Sequence, residues 1–281
     1  MVVDVCGFTR CNIPDDFVHG FLTNVTVQEL IVHTSGIPDH ESNEDAINIT
    51  TAEVEGTSVQ LNPFFLASYL SPDAINSSQL LQIVADDYLY NASKPRKYSN
   101  TGYVVLGLIL EHITGKDWAH AIDDFFDEYV PNDGEFACSA RYNRDFSPKV
   151  PVAKVVSAYK RLDHNDLFVW DHVRQDPNLP INQIIDRRMW SNLVAQGGMV
   201  CSLKSLTNFM LALRAGAFPG VNETDFVYTD TPAYRGHAGG TGVEAILDTS
   251  SDMIVVGTAS SGLTGHFSVP SVLSMDLKCL N

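Results

Sequence analysis

Basic residues are scarce in this sequence. Lys and Arg number 18 against 34 Asp and Glu, which gives a formal net charge of −16 at pH 7. Such an acidic surface repels nucleic acid and anionic membrane, so neither is an expected partner. Long apolar runs are missing too. The stretch from Tyr103 to Leu110 is ended by Glu111 and His112, far short of the roughly 20 residues that span a bilayer. We therefore predict no transmembrane segment.

Motifs for metals and cofactors are also absent. The nine histidines contain no His-Glu-x-x-His spacing, and no Gly-rich loop of the phosphate-binding kind occurs. The cysteines form no Cys-x-x-Cys pair, so we predict no metal, no cofactor, and buried or incidental cysteines. An odd number of cysteines also means that any disulfides would leave one thiol over. The five are Cys6, Cys11, Cys138, Cys201 and Cys279.

The first sixteen residues, "MVVDVCGFTRCNIPDD", lack the basic start and the apolar region of a signal peptide. Asn-x-Ser/Thr sequons nevertheless occur at five positions. Several are expected by chance in a sequence rich in Asn, Ser and Thr, so they favour a secretory route over the cytoplasm only weakly. They are Asn24, Asn48, Asn76, Asn91 and Asn222.

The 281 residues, 44% of them hydrophobic and 19% charged, are typical of a folded globular protein. They suffice for one large domain or for two lobes that share a core. No repeat, low-complexity tract or linker is visible. The pattern from about residue 60 to 190 is mainly helical, with Pro63 placed after Asn62 as in the first turn of a helix. An apolar stripe there indicates core packing; it comprises Trp118, Ile122, Phe125 and Tyr129.

Three segments carry helix signals at their ends. "NVTVQELIVHTSG" has a capping box at Thr26 and Glu29, with Gly36 as its predicted stop. "KYSNTGYVVLGLILEHITGKDW" predicts a buried helix with Asn100 as N-cap and Gly115 at the end. Capping does not explain Tyr98 in that segment. "SLKSLTNFMLALRAG" predicts an amphipathic helix capped by Ser202; its inward residues would be Leu203, Leu206, Phe209, Met210 and Leu213.

The character changes after residue 230. "RGHAGGTGVEAILDTSSDMIVVGTAS" contains two strand-like runs separated by a polar turn at 248–252, and "VPSVLSMDLKCL" can form a last helix. The order of elements predicts an α+β protein in which a helical lobe is inserted between parts of a sheet lobe.

Four segments, in this order, resemble the class C β-lactamase-related serine hydrolases, which include penicillin-binding carboxypeptidases, D-aminopeptidases and lactamase-like esterases. They are "VTVQELIVHTSGIPDH", "YSNTGYVVLGLILEHITG", "AQGGMVCSLKSLTNFMLAL" and "RGHAGGTGVEAILDTSSDMIVV". The resemblance runs from about Asp15 to the C-terminus. It implies an antiparallel sheet flanked by helices, with a sheet lobe at roughly 1–59 and 196–281 and a helical lobe at roughly 60–195, all in one unit.

The resemblance also implies site residues. Tyr98 and Asn100 match the family's Tyr-x-Asn, in which the tyrosine is a proton shuttle and the asparagine holds a substrate carbonyl or a lysine. A phenol ionises near pH 10, so Tyr98 could act as a base at neutral pH only beside positive groups. His237 matches the family's strand motif, although a histidine in a Gly-rich turn is the alternative. Gly239 and Gly240 would let substrate approach, with the Gly240 amide as an oxyanion donor.

The sequence departs from the family in its nucleophile. The family has Ser-x-x-Lys before the His-Thr-Ser-Gly segment, where one helical face brings the two side chains together. Here the first serine is Ser35, so the nucleophile is unknown and the N-terminal part of the fold is expected to be missing. The one Ser-x-x-Lys, Ser157 to Lys160, falls on a predicted helix without a catalytic counterpart. Basic residues replace a Pro-Gly turn before Tyr98 and are expected to be exposed: Lys94, Arg96 and Lys97.

The implied chemistry is acyl transfer on ester, amide or lactam carbonyls of small molecules or peptides. A mostly neutral His237 in place of lysine favours an esterase- or peptidase-like ancestor over a penicillinase. Two hypotheses remain from the sequence. One is a serine hydrolase whose nucleophile is either supplied unconventionally or was lost by truncation, which would leave this chain inactive. The other is a non-catalytic protein that keeps the family's cleft for binding.

Overall fold

A computed structural model describes residues 12–54, 57–70, 75–90, 97–131, 138, 159–161, 182–184, 195–197, 199, 201–221, 234–239 and 243–258. The chain divides into two compact units. Unit 1 comprises Met1–Ala121, Asn165–His172 and Asp186–Gly198, and unit 2 comprises Ile122–His164, Val173–Ile185 and Met199–Asn281. The predicted lobe boundaries stay a prediction.

Unit 1 holds short helices and a two-stranded sheet. Its elements are α1 (Asp15–Phe17), a π-helical turn (Val18–Leu22), α2 (Val27–Ile31), β1 (Thr50–Val54), β2 (Thr57–Leu61), α3 (Pro63–Leu70), α4 (Ser77–Asp87) and α5 (Asn100–Thr114). Strands β1 and β2 pair antiparallel. Helix α6 (Trp118–Tyr129) follows α5 in the chain.

The described residues of unit 2 include two antiparallel sheets, a helix, and most of α6. Its elements are β3 (Tyr159–Arg161), β4 (Asn182–Ile184), α7 (Leu203–Arg214), β5 (Tyr234–Gly239), β6 (Val243–Asp248) and β7 (Met253–Thr258). Strand β3 pairs with β4, and β5, β6 and β7 form one sheet in that order. Helices and antiparallel sheets together confirm the predicted α+β class.

Helix α2 begins as predicted but ends early. Thr26 and Glu29 form the complete capping box. The end lies at Ile31 rather than at Gly36 because His33 adopts a left-handed conformation, with φ of 58°. The His33 N–H donates to Leu30 O and the Thr34 N–H to Glu29 O, at 3.4 and 2.8 Å. This bonding is the Schellman motif, so the predicted stop at Gly36 is wrong.

Helix α5 is capped by a neighbour of the predicted residue. The Ser99 hydroxyl accepts the Gly102 N–H at 3.2 Å, and Asn100 is the first residue of the helix. The N-cap role predicted for Asn100 is therefore wrong, and its side chain is free for other contacts. The predicted end is confirmed, since Gly115 is left-handed with φ of 66°. Val104 and Val105 are fully buried.

The other helix caps agree with the sequence. The Asn62 side-chain oxygen Oδ1 accepts the Phe65 N–H ahead of α3, and the Ser202 hydroxyl accepts the Ser205 N–H ahead of α7. On α7, Met210 and Leu213 are buried as predicted. Leu203 is 49% exposed, contrary to the prediction, because the contacts of α7 with the core of unit 2 come from later residues, namely Leu206, Phe209, Met210 and Leu213.

An aromatic cluster forms the core of unit 2. The rings of Phe126 and Phe218 both stack on Phe209, at centroid distances of 5.5 and 5.2 Å. Side chains from the predicted apolar stripe pack against this core, namely Ile122, Phe125 and Tyr129. Cys138, which belongs to the same core, forms a disulfide with Cys201. The sequence left this pairing undetermined.

The three-stranded sheet contains the predicted hairpin. Strands β6 and β7 flank the polar turn, in which the Asp248 carboxylate accepts both the backbone N–H and the hydroxyl of Ser250. Strand β5 adds a second antiparallel pair on the other side of β6. Residues 159–161 and 182–184 are strands, within a stretch whose sequence pattern is mainly helical. The predicted C-terminal helix lies outside the described residues.

None of the helices in the described part of the chain has both the length and the apolar character needed to cross a membrane.

Candidate functional site

Tyr98 and Asn100 contact each other at the start of α5. The Tyr98 hydroxyl donates to the side-chain oxygen of Asn100 at 2.9 Å. Asn100 is buried, whereas 51% of Tyr98 is exposed. The structure therefore brings these two predicted residues together and leaves the phenol within reach of solvent.

The Asp39 carboxylate anchors Asn100. The Asn100 side-chain nitrogen lies 3.2 Å from one carboxylate oxygen and 3.3 Å from the other. The Asn100 backbone N–H and the Glu41 backbone N–H both donate to Asp39 Oδ1, at 3.3 and 3.2 Å. A further contact in this loop joins the His40 N–H to the Thr101 hydroxyl at 3.0 Å. The residues that follow Pro38 are thereby fixed against the first turn of α5.

His33 supports the other side of Tyr98. Its ring centroid lies 4.4 Å from that of Tyr98 and 5.2 Å from that of Tyr103. The Ser99 backbone N–H donates to His33 Nδ1 at 3.1 Å. Because Nδ1 accepts this bond, it carries no proton, and the neutral ring is protonated at Nε2. The left-handed backbone that ends α2 thus places His33 under the phenol.

The electrostatic surroundings keep Tyr98 protonated. Burial raises the pKa of Tyr98, and the negative charges of Asp39 and Glu41 raise it further. The Lys97 ammonium, which could have lowered it, instead pairs with Asp45 and with Glu44, at 3.2 Å from the latter. Only 15% of the Lys97 side chain is exposed, so the prediction of an exposed Lys97 is wrong. Lys94 and Arg96 lie outside the described residues.

His40 and Glu41 form a neutral contact rather than an ion pair. His40 Nε2 lies 3.7 Å from a Glu41 oxygen. Burial lowers the pKa of His40 to about 3. Burial, together with the charge of Asp39, raises the pKa of Glu41 to about 7. Between pH 3 and 7 Glu41 is protonated and the imidazole of His40 is uncharged. The two side chains are therefore at the distance of an ion pair, but neither carries a charge.

The serines near Tyr98 are committed to structural bonds. The Ser99 hydroxyl donates to Pro38 O at 3.3 Å in addition to capping α5, and Ser99 is 1% exposed. The Ser35 hydroxyl accepts the Ile37 N–H at 3.4 Å and is also buried. Ser157 lies outside the described residues. Lys160 belongs to strand β3, so the predicted helix for this Ser-x-x-Lys is wrong at its lysine.

His237 and Gly239 lie in unit 2, on strand β5. His237 is exposed and stands opposite Ala245 of β6, while Gly239 pairs with Val243. Gly240 lies outside the described residues. The family resemblance implies that His237 and Tyr98 belong to one site, and this stays a prediction. Within the described parts of the chain, no group of three or more His, Cys, Asp or Glu could hold a metal ion.

Sequence reasoning assigned no role to Asp39 or His33. Both lie in "VTVQELIVHTSGIPDH", the segment on which part of the family resemblance rests. The available signal was the presence of these two polar residues among apolar neighbours. A carboxylate that is buried there requires hydrogen-bond donors, so Asp39 could have been expected to bind a neighbouring N–H group.

The beta-lactamase family model matches residues 14–267. The chain belongs to the beta-lactamase family. The resemblance inferred from the four segments is thereby confirmed, and with it the relation to hydrolases of this family.

Solved structures of the beta-lactamase type share the fold at low sequence identity. The D-amino acid amidase from Ochrobactrum anthropi SV3, complexed with D-phenylalanine, has a TM-score of 0.52 and 18% identity over 84% of this chain. EstCE1, a hydrolase with promiscuous acyltransferase activity, has 0.58 and 13% over 94% of this chain and 74% of its own. The penicillin-binding protein from Bacillus halodurans has 0.55 and 18% over 97% of this chain and 82% of its own.

This chain spans 58% of the length of the amidase. None of the curated protein sequences matches it significantly. At these identities the structural likeness supports the beta-lactamase and penicillin-binding-protein fold and nothing finer.

Proposed function

We propose that Tyr98 and Asn100 belong to a site for acyl transfer on ester, amide or lactam carbonyls of small molecules or peptides. The observation that supports this proposal is the hydrogen-bonded series from the Tyr98 hydroxyl through Asn100 to Asp39. It holds one exposed phenol in a fixed orientation at the mouth of a buried helix. A fixed proton donor of this kind is what an acyl-transfer step requires at its leaving group.

Tyr98 would act as an acid before it acts as a base. Its pKa is raised, so the phenol carries its proton at neutral pH. To give that proton to a leaving amine or alcohol, the hydroxyl would rotate away from the Asn100 side-chain oxygen that accepts it in the structure. Asn100 would orient the phenol, since both ends of its amide are occupied by Tyr98 and Asp39. We propose that His237 and Gly239 contribute to the same site, with the Gly240 N–H as oxyanion donor, as the family resemblance implies.

Amides and esters are the first substrates to test. The family relatives include an amidase for D-amino acids and a hydrolase with acyltransferase activity. A histidine stands at position 237 in place of the family's lysine, which favours esters and amides over penicillins, so lactams come second. We propose D-phenylalanine amide and p-nitrophenyl butyrate as probes, with a chromogenic cephalosporin as the third.

We further propose that the 281 residues by themselves turn these probes over no faster than the Tyr98→Phe variant. Ser99 and Ser35 are committed to structural bonds, and Lys160 is on a strand. Loss of the nucleophile costs about 10⁶ in turnover in a well-studied serine protease. The test compares all three probes on both proteins, with Tyr90→Phe as a control for the loss of another phenol of unit 1, whose hydroxyl bonds to Ser35 O. Turnover that depends on Tyr98 but not on Tyr90 would show that a serine completes the site.

A second candidate is a non-catalytic protein that binds acyl compounds in the same cleft. The raised pKa of Tyr98 favours it, because a phenol whose pKa is raised by burial and by neighbouring carboxylates is suited to donate a hydrogen bond rather than to activate a serine. Equilibrium binding of D-phenylalanine amide separates the two candidates. Saturable binding without turnover, abolished by Asn100→Ala, supports the binding protein. Absence of both binding and turnover supports an incomplete hydrolase site.

A further inference from the structure

The Asn100 amide can present either of two ends to the Tyr98 hydroxyl, with opposite consequences. Its oxygen is an acceptor, and its nitrogen is a donor. Facing the oxygen, the phenol must donate and so keeps its proton. Facing the nitrogen, the phenol oxygen would accept, and the phenolate would be favoured. In the structure the oxygen faces Tyr98 at 2.9 Å.

Asp39 determines which end faces Tyr98. An ionised carboxylate offers only acceptors. Both of its oxygens lie within 3.3 Å of the Asn100 side-chain nitrogen. Turning the amide by half a revolution would place the Asn100 oxygen against these two acceptors, which is repulsive. The same half-turn would point the amide nitrogen at the phenol.

Asp39 is itself held rigidly. It is 8% exposed, and its Oδ1 accepts the backbone N–H groups of both Asn100 and Glu41. Pro38 precedes it and restricts the backbone of the loop. A carboxylate fixed in this way holds a partner more firmly than a mobile side chain would.

We propose that Asp39 is a positioning residue, which holds the Asn100 amide in the orientation that offers its oxygen to the Tyr98 hydroxyl. The inference rests on the proposed function for its purpose, since it assigns Tyr98 the role of proton donor. The alternative is a purely structural role, in which Asp39 accepts the first N–H of α5 and the orientation of the Asn100 side chain does not depend on it.

Hydrogen exchange of the two Asn100 side-chain amide protons, followed by NMR, separates these roles. Charge-assisted bonding to Asp39 should slow exchange roughly 10- to 100-fold relative to the exposed Asn24. Asp39→Ala should abolish this protection, and Asp39→Asn, which keeps one acceptor oxygen, should give an intermediate value. Glu41→Gln is the matched control: it removes a neighbouring carboxylate that does not contact Asn100, and the protection should persist. Equal protection in Asp39→Ala and the unmodified protein would overturn the proposal.

The Tyr98→Phe variant supplies a second test, in which the buried Asp39 and Asn100 are both unchanged. If Asp39 holds the amide, its protons stay protected when the exposed phenol loses its hydroxyl. Loss of protection in Tyr98→Phe would show that Tyr98 orients Asn100, and the proposal would be wrong. Failure of the proposed function has a different signature, namely no acyl turnover and no acyl binding while the protection still depends on Asp39.

Discussion

At the scale of single residues, the buried loop from Asp39 to Glu41 holds three titratable groups in an acidic protein. Their pKa values are displaced mainly by burial, which disfavours the charged form of each. Burial therefore moves the pKa of His40 down and those of Asp39 and Glu41 up. As pH rises, Asp39 and Glu41 therefore lower the free energy of unfolding, whereas His40 raises it.

Glu41 should make the protein less stable as pH rises from about 4.5 to 7. In that range the unfolded chain ionises Glu41 while the folded protein keeps its proton, so the free energy of unfolding falls. A displacement from 4.5 to about 7 corresponds to at most about 3 kcal/mol above pH 7. We expect Glu41→Gln to match the unmodified protein at pH 4.5 and to be more stable at pH 8. Urea unfolding at the two pH values measures this difference.

His40 titrates in part of the same range with the opposite sign. Its folded pKa of about 3 lies below the unfolded value of 6.5, so its contribution to stability rises with pH between those values. The contribution is common to both proteins and cancels in the comparison. Equal pH dependence in Glu41→Gln and the unmodified protein would contradict the prediction.

Roles of single residues were predictable from the sequence only where they depend on local motifs. Tyr98 and Asn100 were singled out because they are two positions apart in a family motif. Asp39, which contacts Asn100 across 61 positions of sequence, was not. The contact of Lys97 with Asp45 spans 52 positions, and it reversed the expected exposure of that lysine. Folding determines such contacts, and no local pattern encodes them.

At the scale of elements, helix starts were predicted well and helix ends less well. Caps at Thr26, Asn62 and Ser202 depend on a side chain and an N–H three residues away, so the signal is entirely local. The end of α2 depends on His33 adopting φ of 58°, which the sequence does not mark because glycine usually occupies that position. Strands β3 and β4 pair across a sequence gap, and their helical pattern was misleading.

Two glycines of α5 should respond differently to alanine. A Cβ at Gly107 would lie 2.3 Å from the Ala195 Cβ, whereas a Cβ at Gly102 would meet nothing closer than 3.6 Å. Gly107→Ala must displace a neighbour and should cost about 1–3 kcal/mol. Gly102→Ala should be neutral or up to about 1 kcal/mol more stable, because alanine is the better helix former. Thermal unfolding of both variants measures the difference, and equal stability of the two would show that α5 does not pack against Ala195.

At the scale of the whole molecule, the family and the α+β class were predictable because four segments in order carry more information than any one of them. The Cys138–Cys201 disulfide was not predictable from the sequence. Five cysteines without a spacing motif permit many pairings. Cys138 and Cys201 are joined because Cys138 and its neighbours in the aromatic core of unit 2 fold together with the segment that leads into α7. Only the assembled core determines that choice.

The Cys138–Cys201 disulfide should be the main covalent contribution to stability in unit 2. It closes a loop over a sequence separation of 63. In the chain-entropy description, a loop of that length stabilises the folded state by about 4 kcal/mol, because it restricts the unfolded chain. We expect dithiothreitol to lower the guanidinium midpoint of the unmodified protein, followed by circular dichroism. The Cys138→Ala/Cys201→Ala variant should start at the lower midpoint and should not respond to the reductant. A variant that still responds would mean that another pair of cysteines forms the stabilising bond.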